Sequence, residues 1–485
     1  MVFSSHIFVF YFLPLALLLY YVVPRRGQHV ILVLLSYVFY GWANPLFVAL
    51  MIVSTLCDYA TGLVISGQLP SLRGGDSAAL VRGGPRTATQ KAALAVAIVL
   101  NLALLGFFKY FNFGIDSYNT LVRAVGHDEA AWNSFFRVTL PLGISFYTFH
   151  AMSYAIDVYR GDARAIRNYV DYACYVAMYP QLVAGPIIRF QDVADQLQAR
   201  TYTAEKFARG VAFFSFGMAK KILLANPCGK IADSVFGAAA IDWLDAWTGV
   251  LGYAFQIYFD FSAYSDMAIG LALMLGFVFA KNFDSPYCAQ SITDFWRRWH
   301  ISLSTWLRDY LYVPLGGNRK GTARTYANLA TVMVLGGLWH GASWNFAIWG
   351  AIHGAMLGFE RAQGKDNFYS RLPAAAKTSL TFVIVCFTWV FFRAETLPQA
   401  VAYCGSLVGL AHAGPQSGLI AGVIYQPYYL AALVAAALVT WTCPQTWDFT
   451  RRVTAPKAAL ALGLLWLSLI VLTTQSYNPF IYFIF

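Results

Sequence analysis

Charged side chains are scarce in this chain. Only 12% of its 485 residues are charged, while 59% are hydrophobic, against about 25% charged in an average soluble domain. That deficit excludes a water-exposed surface of the usual kind. Paired cysteines are missing too: Cys57, Cys174, Cys228, Cys288, Cys386, Cys404 and Cys443 are scattered, mostly in apolar stretches. No CxxC spacing occurs, so neither a zinc site nor a disulfide framework is indicated. The sequence has no GxSxG elbow and no phosphate-binding loop. Gly75-Asp76-Ser77 lies in a basic, low-complexity loop without strand context and reads as linker. Alternating segments of about ten residues, the mark of a membrane β-barrel, are also lacking. The net charge of +11 comes without a basic run interleaved with stacking aromatics. It is the charge that cytoplasmic loops of membrane proteins collect, so no nucleic-acid partner is expected.

What the chain has in abundance is apolar runs. Mean hydropathy is +0.54, and runs of about 20 apolar residues recur, each able to cross a hydrocarbon core of about 30 Å. Helices satisfy their own backbone groups in lipid, so the expected class is an all-α, polytopic transmembrane protein. Candidate spans fall near 7–23, 30–44, 47–66, 92–110, 138–157, 170–187, 208–225, 247–259, 262–279, 326–342, 344–360, 378–394, 427–443 and 458–474. Allowing for re-entrant and interfacial segments, about 11 to 14 membrane segments are expected. The stretch Ile7 to Val23 has no basic residues before it and Arg25 and Arg26 after it, which suits a first span better than a cleaved signal. No internal repeat is evident, and 1–485 reads as a single integral-membrane domain.

Charge asymmetry suggests an orientation. Arg25 and Arg26 follow the first span, and the loop 67–91 carries Arg73, Arg82, Arg86 and Lys91 against Asp76. On the alternate side, Arg123 and Arg137 face Asp116, Asp128 and Glu129, and the stretch 395–426 holds Glu395 with no Lys or Arg. The basic loops are then cytoplasmic and the N-terminus periplasmic or extracellular.

The stretch 280–325 stands apart. It holds Lys281, Arg297, Arg298, Arg308, Arg319, Lys320 and Arg324 against Asp284, Asp294 and Asp309. Phe295, Trp299, Leu303, Trp306 and Tyr310 recur at three- and four-residue spacing, with Trp296, His300 and Leu307 on a neighbouring face. That pattern predicts an amphipathic helix at the cytoplasmic interface or dipping into the membrane, ended by Gly316-Gly317-Asn318. Its arginines either snorkel as anchors or bind an anionic donor.

Ionisable groups inside a membrane are costly and therefore candidates for function. His340, in Leu338-Trp339-His340-Gly341, follows the apolar run Leu329 to Gly337, about 21 Å along a helix counted from Tyr326. Gly336, Gly337 and Gly341 leave room for a closely approaching chain or substrate. The plain alternative is a hydrogen bond to a neighbouring helix. His300 beside Arg297 and Arg298 is by itself more often a solvated polar residue. His353 could line the same cavity as His340, although packing suits it better, and His150 ranks below it. Asp260, Tyr264, Ser265 and Asp266 form a polar break between two apolar runs, suited to proton transfer or, more plainly, to capping the following helix.

These blocks together resemble the membrane-bound O-acyltransferases, in the branch that acetylates exopolysaccharides such as alginate. The resemblance runs from Met1-Val2-Phe3-Ser4-Ser5 through Pro141 to Phe146, Asp157 to Gly161, Tyr179 to Ile187 and Phe259 to Met267. Its most specific blocks are Phe295 to Ser304 and Leu338 to Gly341, and Asn478-Pro479-Phe480-Ile481-Tyr482-Phe483 closes it. The resemblance implies a catalytic centre in a tunnel through the bilayer, with His340 as the essential histidine and His300 as the second motif residue. Donor-binding candidates are Arg297, Arg298 and Arg308. Further tunnel candidates are Asp260, Tyr264, Asp266, Trp339 and His353. It also implies a bacterial inner-membrane location and an acetyl group taken from cytoplasmic acetyl-CoA, with no permanently bound cofactor and no metal. Periplasmic acetyltransferase partners would place that group on a polymer. Alternatives are D-alanyl transfer of the teichoic-acid type, and a secondary transporter or flippase whose buried His and Asp residues relay protons.

Overall fold

The computed structural model describes all residues except 72–77, 133–135, 239, 365–369, 411–416 and 482–485. The linker motif Gly75-Asp76-Ser77 and the closing Tyr482-Phe483 therefore lie outside the described residues. Among the described residues the secondary structure is helical, with no strand. The chain divides into two compact units, residues 1–202 with 275–279, and residues 203–274 with 280–485.

The first unit holds α1 (Leu13–Val22), α2 (Gln28–Gly41), α3 (Leu46–Ser66), α4 (Ala88–Ala124), α5 (Ile144–Arg160), α6 (Tyr169–Ala177) and α7 (Phe190–Gln198). The second holds α8 (Ala204–Ala219), α9 (Asn226–Phe236), α10 (Trp243–Met274), α11 (Ile292–Arg298), α12 (Ile301–Leu307), α13 (Thr322–His340), α14 (Trp344–Gln363), α15 (Ala374–Arg393), α16 (Leu397–Leu407), α17 (Ser417–Ile424), α18 (Pro427–Thr442), α19 (Thr446–Phe449) and α20 (Ala455–Thr474).

Among the described residues four helices, α3, α4, α15 and α20, are long and apolar enough to cross a membrane by length and composition, and Phe8–Val22 and α18 are shorter apolar helices. Large apolar side chains stay exposed along them, among them Leu460, Leu462, Trp466, Leu467 and Ile470 on α20. Water would penalise such a face, whereas lipid tails match it. This is the surface of a membrane protein.

In the second unit α10 is the central helix, buried along nearly its whole length and packed by α8, α9, α15 and α16. Small residues permit that closeness. A Cβ on Gly210 would meet the Gly270 carbonyl at 2.6 Å, and one on Gly217 would meet the Ala263 carbonyl at 2.8 Å. Small residues let helix backbones approach in the same way inside bilayers.

Several expected boundaries shift. The spans expected at 247–259 and 262–279 are one helix, α10, because the polar residues between them are neutralised in place rather than breaking it. The segment 170–187 is helical only to Ala177 and then turns. The span 208–225 ends in a π-helical turn, Lys220–Ala225, and the region expected as loop at 395–426 contains α16 and α17. The single amphipathic helix expected across Phe295 to Tyr310 is broken at His300, whose φ of 44° is left-handed. The break is held by backbone bonds to the irregular stretch that follows α10: Asp284 N–H donates to Arg298 O at 2.9 Å, and Ile301 N–H to Asn282 O at 2.9 Å. A left-handed non-glycine residue is uncommon. Here the two flanking bonds hold it, and they turn the imidazole inward.

Candidate active site

The site lies within the second unit and starts from two helices that meet almost backbone to backbone. A Cβ on Gly337 of α13 would lie 2.2 Å from Phe346 O of α14, and one on Gly350 would lie 2.3 Å from Met333 O. Gly337 and Gly341 thus make room for α14, while Gly336 faces Leu307 and the open side. Gly341 is extended, at φ −163°, so α13 stops at His340. The imidazole is left at the helix end, buried with 8% exposure.

Along α13, Leu329, Val332, Met333, Gly336 and His340 form one helical stripe. Opposite it lie Leu303, Ser304 and Leu307 of α12, then Arg308 and Tyr312 of a π-helical turn, Arg308–Tyr312. Between them is a cavity of about 200 Å³, closed by Trp296 and Leu357. It runs from the exposed Arg308 guanidinium to His340 over an otherwise mainly apolar lining. His340 also borders a second cavity of about 10 Å³, walled by Ile257, Phe261, Trp299, Trp389, Phe392 and Ile481. That space holds at most about one water.

The rings of His300 and His340 lie 6.2 Å apart. Phe261 meets His300 edge-on at 4.6 Å, and Trp339 lies 5.9 Å from His300 and 5.0 Å from His340. The protonation of His300 follows from its neighbours. Asn282 Oδ1 accepts from the Ser302 N–H at 3.2 Å and from Ser302 Oγ at 2.9 Å. A backbone N–H is an unambiguous donor, which fixes the orientation of the Asn282 amide; its Nδ2 donates to Ser265 Oγ at 2.8 Å. His300 Nδ1, 3.2 Å from the same Oδ1, must then carry the proton. In the neutral ring Nε2 is therefore the lone-pair nitrogen. It is buried and makes no hydrogen bond among the described residues.

The other candidates are placed differently. His353 is fully buried with both nitrogens engaged: Trp296 Nε1 donates to Nδ1 at 3.2 Å, and Nε2 is 3.2 Å from Thr388 Oγ1. Neither His353 nor any member of the polar group on α10 lines either cavity, and of the two site histidines only His340 does. Asp260 is not a helix cap: it pairs at 2.9 Å with Lys221, both nearly unexposed, and accepts from Ile481 N–H at 3.1 Å. Asp266 pairs with Lys220 at 2.7 Å and accepts from Thr446 Oγ1 at 2.7 Å. Tyr264 lies against Phe480 in a tilted ring contact at 4.8 Å. Arg298 binds Asp294 at 2.8 Å and Arg297 is exposed, so of the three arginines expected to meet the donor only Arg308 lines the His340 cavity. It also pairs with Asp309 at 2.7 Å. His150, in the first unit, accepts from Ile188 N–H at 3.3 Å.

Sequence reasoning passed over Asn282, Lys220 and Lys221. Lys220 and Lys221 carried a visible signal, two adjacent cations in an apolar span. Asn282 carried none, since its partners are 17 to 20 residues away. Among the described residues, no group of three His, Cys, Asp or Glu side chains could hold a metal.

The family model for the membrane-bound O-acyltransferases matches residues 93–392, which include both histidines. The whole chain also aligns, at 43% identity over 100% of each chain, with the probable alginate O-acetylase AlgI of Pseudomonas putida. The chain belongs to the membrane-bound O-acyltransferase family. It is similar as well to the probable alginate O-acetylase AlgI of Azotobacter vinelandii, 48% identical over 82% of this chain and 76% of that one. The peptidoglycan O-acetyltransferase of Helicobacter pylori is 34% identical over 84% and 80% of the two chains. An O-acyltransferase needs a base for an acceptor hydroxyl and a route for an acyl donor. The two adjacent imidazoles and the cavity beside His340 are groups of that kind.

Proposed function

We propose that this O-acyltransferase moves an acetyl group from cytoplasmic acetyl-CoA across the inner membrane for O-acetylation of an exopolysaccharide such as alginate. The observation that carries the reading is His340, which lines a mainly apolar cavity that also reaches Arg308, with the buried His300 ring 6.2 Å from it. Similarity to probable alginate O-acetylases, full-length for the Pseudomonas putida protein, supports acetyl as the group and a polysaccharide as its destination.

In this reading the thioester lies in the cavity with its phosphates towards Arg308, where a guanidinium fork suits them. His340 takes the proton of an acceptor hydroxyl as the oxygen attacks the thioester carbonyl. The C–S bond breaks, coenzyme A leaves as thiolate, and the imidazolium returns the proton to it. The lone pair on His300 Nε2 orients the reacting groups, and Asn282 holds that ring in the required tautomer. The cytoplasmic side is the one carrying Arg25, Arg26 and the 67–91 loop, and the N-terminus is periplasmic. A periplasmic acetyltransferase partner receives the acetyl group.

The test is reconstitution of the full chain in proteoliposomes with acetyl-labelled acetyl-CoA. Consumption of the thioester, with label transferred to an added polysaccharide acceptor system, is expected in the wild type and not in His340→Ala. A protein that leaves the thioester intact under all acceptor conditions, or a folded His340→Ala variant with near-normal transfer, overturns the reading.

A further inference from the structure

The first unit contains a larger cavity, about 1370 Å³, that the acyl-transfer chemistry does not use. Its walls come from the turn after α1, the loop between α5 and α6, and α7. The loop wall is firmly fixed. Ser71 N–H donates to Arg167 O at 2.8 Å, Arg86 Nε to Tyr159 O at 2.7 Å, and Arg82 Nε to Asp162 at 2.6 Å. The basic segments that charge asymmetry assigned to one side are thus joined to this cavity's wall.

Five arginines line it, Arg25, Arg26, Arg164, Arg167 and Arg200, with Asp162, Asp171 and Asp195. Two of the acids are committed, Asp162 to Arg82 and Asp171 to His29 Nδ1 at 2.6 Å. Arg200 is committed as well, reaching His29 Nε2 at 2.6 Å, Tyr20 OH at 3.1 Å and Tyr202 OH at 3.2 Å. Arg25 and Arg26 are exposed, and neither they nor Arg167 pair with a carboxylate among the described residues. Arg25 lies 5.5 Å over the Tyr202 ring, and Arg167 directs Nε to Leu69 O at 3.1 Å. Asp195 is the one lining acid without an ion pair among the described residues.

We infer that this cavity is a binding site for a phosphate-bearing anion. Guanidinium groups held on a fixed wall present paired donors that match phosphate oxygens. The surplus of unpaired cations gives the cavity a positive potential that attracts such a ligand. Its mostly polar lining suits a headgroup rather than an acyl chain. Two sources share this chemistry, an anionic phospholipid headgroup and a soluble phosphate compound. The inference is independent of the acetyl-transfer reading.

The experiment uses the full chain in two arms. Phosphatidylglycerol and phosphatidylcholine retained by nanodisc-reconstituted protein are compared by native mass spectrometry, and pyrophosphate binding to detergent-solubilised protein is measured by calorimetry. Arg26→Gln/Arg167→Gln is expected to weaken one arm at least about 10-fold, since it removes charged hydrogen-bond donors to the phosphate. Asp195→Asn is expected to tighten the same arm a few-fold. Loss confined to the phosphatidylglycerol arm assigns a lipid headgroup, and loss confined to the pyrophosphate arm a soluble ligand. Wild-type protein that prefers neither anion, or substitutions that change neither arm, overturns the site. If the double variant fails to fold, Asp195→Asn decides alone.

Discussion

Two aromatic-walled regions of the second unit each bury a histidine, and they differ in what is left over on the ring. Around His353, Trp296 and Thr388 engage both nitrogens, while Phe295 stacks on the ring and Trp349 meets it in a T-shaped contact. Around His300, Asn282 holds Nδ1 while Nε2 is bare, and the neighbouring His340 opens on a cavity. Burial is equal at His300 and His353, each with 0% exposure. Burial alone therefore does not separate the two histidines; the spare lone pair on His300, next to the cavity-lining His340, does.

That contrast can be broken or sharpened by substitution. The largest effect is expected at His340→Ala, a fall in acetyl transfer of roughly 10³-fold, within the usual range for a general base, with thermal unfolding unchanged. Asn282→Ala should lower kcat by about 10²-fold while the donor KM stays put, because a ring free to change tautomer loses its aim; a matching rise in KM would make Asn282 a binding residue instead. Arg308→Gln should raise the donor KM about 10-fold, as expected from losing one charged hydrogen bond, with kcat preserved. His353→Ala belongs to the other region. It should lower stability by about 1–3 kcal/mol through its unpaired partners, read by thermal unfolding, with activity within a few-fold of wild type. A collapse of kcat in a folded His353→Ala variant would erase the distinction. The smallest effect is expected at Arg297→Gln, within about twofold in kcat/KM, as for an exposed charge with little to bind.

Part of the candidate site's layout was legible beforehand, and the reasons are physical. His340 stood out because an ionisable side chain in an apolar run is costly unless used. The glycines around it were visible too, although Gly337 and Gly341 turn out to admit α14. The polar group on α10 misled because a carboxylate in an apolar run looks like a break when its counter-charge is far away. Lys220 and Lys221 precede Asp266 and Asp260 by 46 and 39 residues in the chain. The break at His300 was hidden for the same reason: the helical spacing of Phe295, Trp299 and Leu303 continues through it, and only the backbone partners at 282–284 interrupt the helix.

By itself, then, the sequence determined the all-helical membrane class, the family blocks and the two histidines to watch. These follow from composition and local period, which a chain carries residue by residue. Tertiary structure alone decided that α10 is continuous and that His300 shares a carbonyl with Ser302. It also decided that His353 is fully engaged and that Arg308 rather than Arg297 faces the cavity. Each of those depends on which distant backbone or counter-charge arrives within about 3 Å, the reach of a hydrogen bond, and linear spacing does not encode that meeting.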